Sequence, residues 1–487
     1  MASLEEIRNA RLEKLRLLRG RGIDPYPIIS RRTYTLAEVK KKFESLEKSD
    51  KTITVSGRVT ALRGQGAVFF IDLNDGEGTL QALAKKDSTN EFDFFEKVID
   101  IGDFIEVLGT LFTTKRGEKT INVLKWEMLA KSLRPLPEKW HGLQDTEERF
   151  RRRYLDLLSS PEVKERFMAR SRIVSSIRGF LDKKGFVEVE TPVLQHLPGG
   201  ASALPFRTYH NFLDIDLHLR IAPELYLKEL LIGGMPKVYE VSRNFRNEGI
   251  DVTHNPEFTT VEWYESFSDA KEQRLLIEKL LRVVVKKVTG QNKITYQNNK
   301  IDFSKKFTVV SYYDLLEKYS GIKNPAQITL EELRTHAQKF SITSEKGDSV
   351  EKLLDAIYKK TCRGNLIMPT FVVNYPTKAL PLAKRFSKNP DLVDAFQLVV
   401  GGLEIVKAFS ELNDPIDQEE RFLEQEKNKA AGDKEAQSND KDFVEAMEYG
   451  MPPAGGVGLS IDRLTMLLTN AHNIREVILF PTLRPKQ

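Results

Sequence analysis

Residues 243–264 constrain the fold of this chain more than any other segment. They read as two strands joined by a polar loop, and the ionisable side chains lie where strand and loop meet. Because successive side chains of a strand point to opposite faces, alternate residues share a face. This parity groups Phe258, Thr260, Glu262 and Tyr264 on one strand, and Val238, Glu240, Ser242, Asn244 and Arg246 on the other. The segment therefore predicts one polar platform on paired strands.

Two residues of this platform indicate a ligand. The guanidinium of Arg246 is a planar fork suited to a carboxylate or a phosphate, and the ring of Phe258 offers a surface for a flat base. The alternative interpretation is a charged hairpin without a ligand. The segment resembles motif 2 of the class II aminoacyl-tRNA synthetases, an Arg-x-Glu, loop, Phe arrangement. This resemblance implies that the platform holds ATP and the carboxylate of an amino acid.

Bulk properties exclude several classes of protein. The chain has 487 residues, 40% hydrophobic and 30% charged, enough for a large core and two or three domains. Neither terminus has the apolar core of a signal peptide, and no stretch approaches the roughly 20 apolar residues of a membrane span. We therefore expect a cytoplasmic protein without a membrane partner. The single Cys362 excludes an internal disulfide and a Cys-rich metal site, and the net charge of +5 permits a polyanionic partner.

The N-terminal part predicts a basic helix followed by a small barrel. Residues 1–50 form a basic helical extension, whose amphipathic run 4–21 suits either RNA phosphates or packing on its own domain. Residues 51–130 contain short strands with alternating apolar and polar side chains, separated by turn glycines. This pattern is typical of a closed barrel of the OB type. The predicted strands are 52–60, 67–73, 79–84, 103–112 and 119–126, with a helix-like stretch at 91–100.

One face of the predicted barrel carries candidate contacts for single-stranded RNA. Parity directs Ile71 inward and Phe70 outward, and it places Gln81 on the outside of the adjacent strand. OB domains usually bind single-stranded RNA with a ring that stacks on a base, next to an amide that can hydrogen-bond the edge of a base. Arg63 and Glu118 are candidates for further contacts. The alternative is an exposed Phe70 without a ligand.

The rest of the chain predicts a linker and a second domain. Residues 131–155 are marked by prolines and then strongly basic, which is typical of a linker. Residues 156–487 follow as the catalytic domain, interrupted at about 270–390 by a helical insertion without catalytic residues. The Lys/Glu-rich segment 418–442 predicts a solvated helix or a mobile loop.

A helix that ends at Lys183-Lys184 is followed by Gly185, a short strand and Pro192. This order resembles motif 1 of class II synthetases, which forms their dimer interface. The resemblance implies a homodimer through this region.

Small residues near the C-terminus suggest a second nucleotide contact. They occupy alternate positions of a strand from Gly456 onward, so that a ligand can approach the backbone, and Arg463 then opens a helix whose N-terminal end favours phosphate. The stretch resembles motif 3, whose Arg lies along the terminal phosphate of a bent ATP. The family usually has Gly where this chain has Ser460, so we expect a slightly tighter backbone approach there.

A hairpin between motifs 2 and 3 adds acidic residues. The pair Gly401-Gly402 indicates its turn, and alternation places Lys407, Phe409 and Glu411 on one face. Glu404 and Glu411 are candidate Mg2+ ligands, because hard oxygen donors beside nucleotide phosphates suit that ion.

The resemblance narrows to the lysyl-tRNA synthetases of bacterial type and covers nearly the whole chain. It implies an α+β protein with an OB-fold barrel before a class II catalytic domain, an antiparallel sheet flanked by helices. The implied activity joins L-lysine to tRNA(Lys) through lysyl-adenylate, with ATP and Mg2+. The implied lysine-binding residues are Gly200, Glu224, Arg246, Glu262, Tyr264, Phe409 and Glu411. The implied ATP-binding residues are Arg246, Glu248, His254, Asn255, Phe258, Glu404 and Arg463, and the implied catalytic residues are Arg246 and Arg463.

Two departures from the family pattern lie in one hairpin. Gln397 replaces a metal-binding Glu, and Lys407 replaces an Asn beside the amino-acid site. A negative charge is lost and a positive charge gained, so the number of bound Mg2+ ions stays open. We hypothesise that the Lys407 ammonium replaces one divalent cation. The alternative is that both substitutions are neutral drift within a subfamily.

Three other functions compete with lysine ligation to tRNA. A synthetase for aspartate or asparagine needs a less acidic pocket than Glu224, Glu262 and Glu411 provide. A ligase that attaches a lysine-like acid to a protein side chain lacks the OB domain. An RNA-binding protein on an inactive scaffold is disfavoured by the intact Arg246 and Arg463.

Overall fold

The computed structural model describes residues 3–137, 143–344, 347–430 and 439–486. The chain divides into two compact units, Met1–Leu143 and Gln144–Gln487, and this division falls inside the predicted linker 131–155. No helix in these ranges has the length and apolarity needed to span a membrane.

The first unit contains a closed five-stranded barrel with the strand order β1-β2-β3-β5-β4. Helix α3 connects the third and fourth strands, as the sequence predicts, and β3 closes the barrel by pairing in parallel with β5. The elements are α1 (Leu4–Gly20), α2 (Leu36–Lys48), β1 (Ile53–Gln65), β2 (Val68–Asn74), β3 (Thr79–Lys85), α3 (Phe92–Val98), β4 (Phe104–Thr113) and β5 (Lys119–Ala130).

The first 50 residues differ from the predicted separate extension. Leu18 of α1 and Leu36, Val39 and Phe43 of α2 are buried in the same apolar cluster as the barrel interior. Arg11 is also buried, and its guanidinium donates to the carbonyl oxygens of residues 101, 132 and 134. Helix α1 therefore packs on its own domain, because its apolar stripe completes the barrel core.

The second unit is built on one large sheet. Its helices are α4 (Thr146–Arg151), α5 (Arg153–Ser159), α6 (Pro161–Lys183), α7 (Glu224–Ile232), α8 (Ala270–Thr289), α9 (Tyr312–Ser320), α10 (Leu330–Lys339), α11 (Val350–Thr361), α12 (Pro415–Ala430), α13 (Lys441–Glu448) and α14 (Ile461–Leu468), with 3-10 turns at Arg363–Asn365, Thr377–Ala379 and Ile474–Glu476. Its strands are β6 (Val187–Glu188), β7 (Leu194–Gln195), β8 (Arg207–His210), β9 (Ile215–Leu219), β10 (Lys237–Phe245), β11 (Glu257–Ser266), β12 (Lys293–Tyr296), β13 (Asn299–Asp302), β14 (Thr308–Ser311), β15 (Thr370–Pro376), β16 (Arg385–Phe386), β17 (Asn389–Val400), β18 (Leu403–Ser410) and β19 (Ala454–Ser460).

The sheet has the order β14-β15-β17-β18-β19-β11-β10-β6, and β16 pairs with β17. Its central strands are antiparallel, whereas β14 and β6 pair in parallel with their neighbours at the two edges. Trp263 and Tyr239 lie on one face, in a core shared with helices α6, α8 and α14. The other face carries the polar side chains. The expected α+β class, a barrel followed by an antiparallel sheet with helices, is confirmed.

The segment 270–390 differs from the predicted helical insertion. Ile277, Leu280 and Leu281 of α8 pack in the same core as Trp263, and β14 and β15 are hydrogen-bonded into the main sheet. Only pairing with distant strands identifies these short apolar runs as part of the sheet, so local patterns did not reveal them.

The region compared with motif 1 has the expected local structure. Helix α6 ends at Lys183, Gly185 adopts φ +81°, and β6 pairs in parallel with β10. A positive φ is available to glycine at little cost, so Gly185 allows the chain to reverse from helix to strand. Of the segment 418–442, residues up to 430 extend helix α12, 439–442 lead into α13, and 431–438 lie outside the described residues.

Candidate functional site

The predicted platform forms with the predicted parity. The register pairs Val238 with Tyr264, Glu240 with Glu262, Ser242 with Thr260, and Asn244 with Phe258. The Asn244 amide donates to the Thr260 hydroxyl at 2.9 Å, which joins the two strands on their polar face. The opposite residues, such as Val261 and Trp263, fill the core, and this burial fixes the register.

One row of side chains crosses the sheet through the platform. Gln397 of β17 is opposite Lys407 of β18, Lys407 is opposite Gly458 of β19, and Gly458 is opposite Glu262. Directly opposite residues in antiparallel strands share a face. The row therefore places the two departures from the family pattern on the face that carries Glu262, separated from it by a residue without a side chain.

Three carboxylates form a buried pocket beside this row, and we call Glu224, Glu262 and Glu411 the carboxylate pocket. Their exposed fractions are 6%, 8% and 2%. Lys228, which has no exposed surface, donates to Glu224 at 2.7 Å and lies 2.5 Å from Glu411. Three carboxylates with one internal ammonium leave an excess of negative charge, so the pocket suits cationic groups.

Aromatic rings and glycines shape the pocket. Tyr264 is buried beside Glu262, and the ring of Phe409 lies 5.5 Å from the Lys228 ammonium. Gly200, at φ +82°, approaches Glu224 so closely that an added Cβ would lie 2.8 Å from its Cβ. At Gly456 an added Cβ would lie 1.8 Å from the Glu411 carboxylate, so only glycine fits there.

Burial changes the ionisation of the pocket. It raises the pKa of Glu262 to about 8, reinforced by the charge of Glu224 and opposed by Arg246. It raises the pKa of Glu411 in the same direction despite the nearby Lys228. Burial would lower the pKa of Lys228, but the carboxylates of Glu224 and Glu411 outweigh it, so this ammonium stays charged.

Arg246 and Phe258 lie together, as predicted. The guanidinium carbon of Arg246 is 5.1 Å from the centre of the Phe258 ring, and its Nε is buried without a partner. Burial lowers the pKa of Arg246, opposed by Glu248 and Glu262. Asn255 is buried, donates to the Glu257 carbonyl at 2.6 Å, and keeps its Oδ1 unpaired. Buried polar groups without partners, such as the Arg246 Nε and the Asn255 Oδ1, are typical of a binding surface for a polar ligand.

Arg463 connects motif 3 to the motif 2 loop. One of its amino groups donates to the Glu404 carbonyl at 3.1 Å, and the other lies 3.0 Å from Nε2 of His254. The Nδ1 of His254 lies 2.8 Å from Asp251. His254 therefore links the exposed loop to the arginine expected at the phosphates.

The two predicted metal ligands do not form one cluster. Glu411 is in an ion pair with Lys228, whereas Glu404 lies among basic side chains of its own strand and of other elements. Within the described ranges, no group of three or more His, Cys, Asp and Glu residues is placed to hold a metal ion. With an amide at Gln397, the donor set does not fit a pair of protein-held divalent ions.

Ser460 has a role that the sequence did not indicate. Its hydroxyl accepts a hydrogen bond from the backbone N–H of Arg463 at 3.2 Å and caps helix α14. The expected tighter backbone approach is therefore better described as an N-cap that orients the turn carrying Arg463.

Comparison with known proteins agrees with this geometry. Residues 145–484, more than two thirds of the chain, match the family described as tRNA synthetases class II (D, K and N). The chain belongs to the class II aminoacyl-tRNA synthetases. Residues 53–129 of the synthetase match the OB-fold nucleic acid binding domain.

Full-length relatives are similar to the synthetase along its whole length. It is 48% identical over 490 residues to the lysine–tRNA ligase of Carboxydothermus hydrogenoformans, with 99% of both chains covered. It is 46% identical over 486 residues to the lysine–tRNA ligase of Thermoanaerobacter pseudethanolicus, with 99% of this chain and 97% of the relative covered. It is 46% identical over 479 residues to the lysine–tRNA ligase of Moorella thermoacetica, with 98% of this chain and 97% of the relative covered.

The barrel of the synthetase brings the four predicted RNA contacts together. Arg63 is opposite Phe70 and donates to Asp72 at 2.8 Å, while Asp72 is opposite Gln81. The Gln81 amide oxygen accepts from Thr120, whose hydroxyl also lies 3.2 Å from the carbonyl of residue 118. Glu118 itself is exposed and lies immediately before β5.

Sequence reasoning missed several residues of the site. Lys228 lies one helical turn after Glu224, and this spacing was the available signal. Lys359 of α11 and Arg363 of the following 3-10 turn act on Glu404, although both belong to the supposed insertion. No local pattern distinguishes them from ordinary surface cations.

Proposed function

We propose that this synthetase is a lysine–tRNA ligase, which activates L-lysine with ATP and transfers it to the 3′-terminal adenosine of tRNA(Lys). The observation that carries the proposal is the carboxylate pocket. With lysine bound and all three carboxyl groups ionised, the pocket and its one internal ammonium would carry two net negative charges, which match the two ammonium groups of a lysine molecule. The aromatic rings of Phe409 and Tyr264 suit its aliphatic stem.

The lysine fits between the pocket and Arg246. Gly200 and Glu224 would hold the α-ammonium, and Arg246 the carboxylate. Glu262, Tyr264 and Glu411 would hold the ε-ammonium, with Phe409 along the stem. This orientation is supported by the close approach of Gly200 to Glu224 and by the unpaired Nε of Arg246.

The ATP would lie across the Arg246 end of the platform. Phe258 would stack on adenine, and Glu248 and Asn255 would contact it, with His254, Glu404 and Arg463 near the phosphates. The lysine carboxylate is ionised at neutral pH and attacks the α-phosphorus in line without a general base. The bond to the β-phosphate breaks, its electron pair leaves with pyrophosphate, and no proton is transferred. Arg246 and Arg463 neutralise charge that develops during this step.

Mg2+ would accompany ATP, with Glu404 as a candidate ligand at the phosphate end. The ion would screen charge on the phosphates, and the donor set does not fit a second ion held by the protein. The barrel would bind the anticodon of tRNA(Lys) through Arg63, Phe70, Gln81 and Glu118. We place the enzyme in the cytoplasm, where its substrates are.

A homodimer through the motif 1 region is part of the proposal. Large apolar side chains are exposed along β6 to β9, where a second copy would bury them. These residues are Val187, Val193, Leu194, Leu197, Tyr209, Phe212 and Leu213. Sedimentation at micromolar concentration tests this part, and a monomer would overturn it.

Lysine-dependent exchange of pyrophosphate into ATP tests the proposed activity. We expect exchange with lysine and none with aspartate, asparagine or the other standard amino acids, followed by transfer to tRNA(Lys). Exchange with aspartate or asparagine, and none with lysine, would show that the enzyme activates that amino acid in place of lysine. Absence of exchange with every amino acid would favour an RNA-binding protein on an inactive scaffold.

A further inference from the structure

Glu404 lies among four basic side chains of the catalytic unit. Burial would raise the pKa of Glu404, but the positive charges of Arg463, Lys407, Lys359 and Arg363 outweigh it, and the pKa is lowered. These cations come from α14, β18, α11 and the 3-10 turn after α11. Four positive charges around one half-buried carboxylate leave a local excess of positive charge.

Internal partners neutralise only part of this excess. Lys359 is paired with Asp355 at 2.7 Å. Lys407 and Arg363 have no acidic partner within 4 Å in the part of the chain that the structure describes. Basic side chains that have no ion-pair partner of their own and surround a single carboxylate favour the binding of an anion beside them.

The sheet fixes the position of Lys407. It is opposite Gln397 and Gly458, and Glu262 follows on the next strand of the same row. The Oε1 of Gln397 is buried without a partner, although 8% of the residue is exposed. A positive group and an unpaired polar group therefore face the ligand side of the sheet in adjacent positions.

The substrate that suits this position is not the lysine. An ammonium at Lys407 repels the two ammonium groups of the amino acid but attracts the anionic end of ATP, which Arg463 is expected to contact. Lys407 thus provides a fixed positive charge at a position where the neighbouring amide of Gln397 does not suit a second divalent ion.

We propose that Lys407, Lys359 and Arg363 form, together with Arg463, a cationic cradle for the β- and γ-phosphates of ATP and for the departing pyrophosphate. The cradle rests on the proposed function, and it does with fixed side chains what a second protein-held divalent ion would do. When the bond between the α-phosphorus and the β-phosphate oxygen breaks, the electron pair moves to pyrophosphate. The cradle stabilises that charge without a proton or a further reactant.

Binding of inorganic pyrophosphate to the full chain in EDTA tests the cradle. We expect calorimetry to detect binding without a divalent ion, and K407M and R363M each to weaken it by about tenfold. K360M is the matched control, because Lys360 is an exposed cation next to Lys359 on helix α11 and is not part of the cradle, and it should leave binding unchanged. No binding in EDTA, or equal binding by K407M, R363M and the unchanged chain, would overturn the proposal.

A second variant separates loss of the cradle from loss of folding. Q397E/K407N restores the family pattern at both positions. It should abolish binding of pyrophosphate in EDTA and restore it when Mg2+ is added, with a steeper dependence on Mg2+ than the unchanged chain shows. Binding in EDTA that survives this double change would contradict the cradle. The pyrophosphate measurements need no lysine, so a failure of lysine-dependent exchange would refute the proposed function separately.

Discussion

The ammonium of Lys228 lies 2.5 Å from the carboxylate of Glu411, and neither side chain is exposed. Lys228 also donates to Glu224, so one cation holds two carboxylates of the pocket in place. A buried ion pair contributes little net stability, but loss of one partner leaves the other charge uncompensated. Lys228 therefore acts as a positioning residue for the amino-acid site.

K228M tests this positioning role. The variant leaves Glu224 and Glu411 without their cation, and we expect a loss of stability of about 3 kcal/mol. The KM for lysine should rise by at least roughly tenfold while the KM for ATP changes little, because the phosphates lie outside the pocket. Exchange kinetics and thermal melting measure both effects. K237M is the matched control, since Lys237 pairs with Glu265 at 2.6 Å where both side chains are partly exposed; equal changes in K228M and K237M would refute the assignment.

Lysine affinity should depend on pH through Glu262. Its pKa of about 8 means that the empty site holds this carboxyl protonated at neutral pH, whereas pairing with the ε-ammonium needs the ionised form. The lysine ammonium keeps its proton below about pH 10. We expect the KM for lysine to fall by up to about tenfold as the pH rises from about 7 to 8.5.

The stability of the empty protein should change in the opposite direction. A carboxyl whose pKa is raised by folding stabilises the folded state below its ordinary pKa, and this contribution is lost as the pH rises toward about 8. Lysine should therefore raise the melting temperature more at pH 8.5 than at pH 6.5. E262Q should weaken the pH dependence and leave the part that comes from Glu411, whose pKa burial also raises. An undiminished dependence in E262Q would assign it to another group.

Gly456 should tolerate no side chain. In G456A the added methyl group overlaps the carboxylate of Glu411, with the Tyr264 ring 2.5 Å away, so both groups must move. We expect loss of lysine-dependent exchange by at least roughly a hundredfold. G179A is the control, because nothing lies within 4 Å of the methyl group it adds in helix α6. Normal lysine kinetics in G456A would show that the pocket geometry is wrong.

Ser460 should contribute through its cap. S460A removes the acceptor for the Arg463 backbone and should cost about 1 kcal/mol of stability, whereas S460G should cost only a few tenths. The KM for ATP should change little in S460G, since glycine is the usual residue of the family at this position. Denaturant titration of the two variants makes the comparison; S460G less stable than S460A would contradict the capping role.

Phe70 should affect the tRNA step alone. Loss of one stacked base costs about 1–3 kcal/mol, so F70A should raise the KM for tRNA(Lys) at least roughly tenfold. Lysine-dependent exchange in the same variant is the internal control and should stay unchanged. Unaltered aminoacylation by F70A would show that the partly buried Phe70 does not contact the tRNA.

Local sequence determined much of the architecture. Strand geometry separates Val261 and Trp263 from Glu262, so the common polar face of Glu262 and Glu240 could be predicted before the fold was known. Their direct pairing came from the strand register. The barrel strands and the terminus of helix α6 followed in the same way, since turn glycines and caps act over a few residues. The alternation of Lys407 and Phe409 placed both residues on the ligand face for the same reason.

Only the tertiary structure decided which charged residues from distant parts of the chain become neighbours. The ion pair of Lys228 with Glu411 and the position of Arg363 beside Glu404 join segments far apart in the chain, and neither follows from spacing. For the same reason the sequence named Glu404 and Glu411 alike as candidate Mg2+ ligands, whereas the fold gives each a different set of neighbours. Side-chain periodicity is local, but electrostatic neighbours depend on which strands pair and which helices cover them.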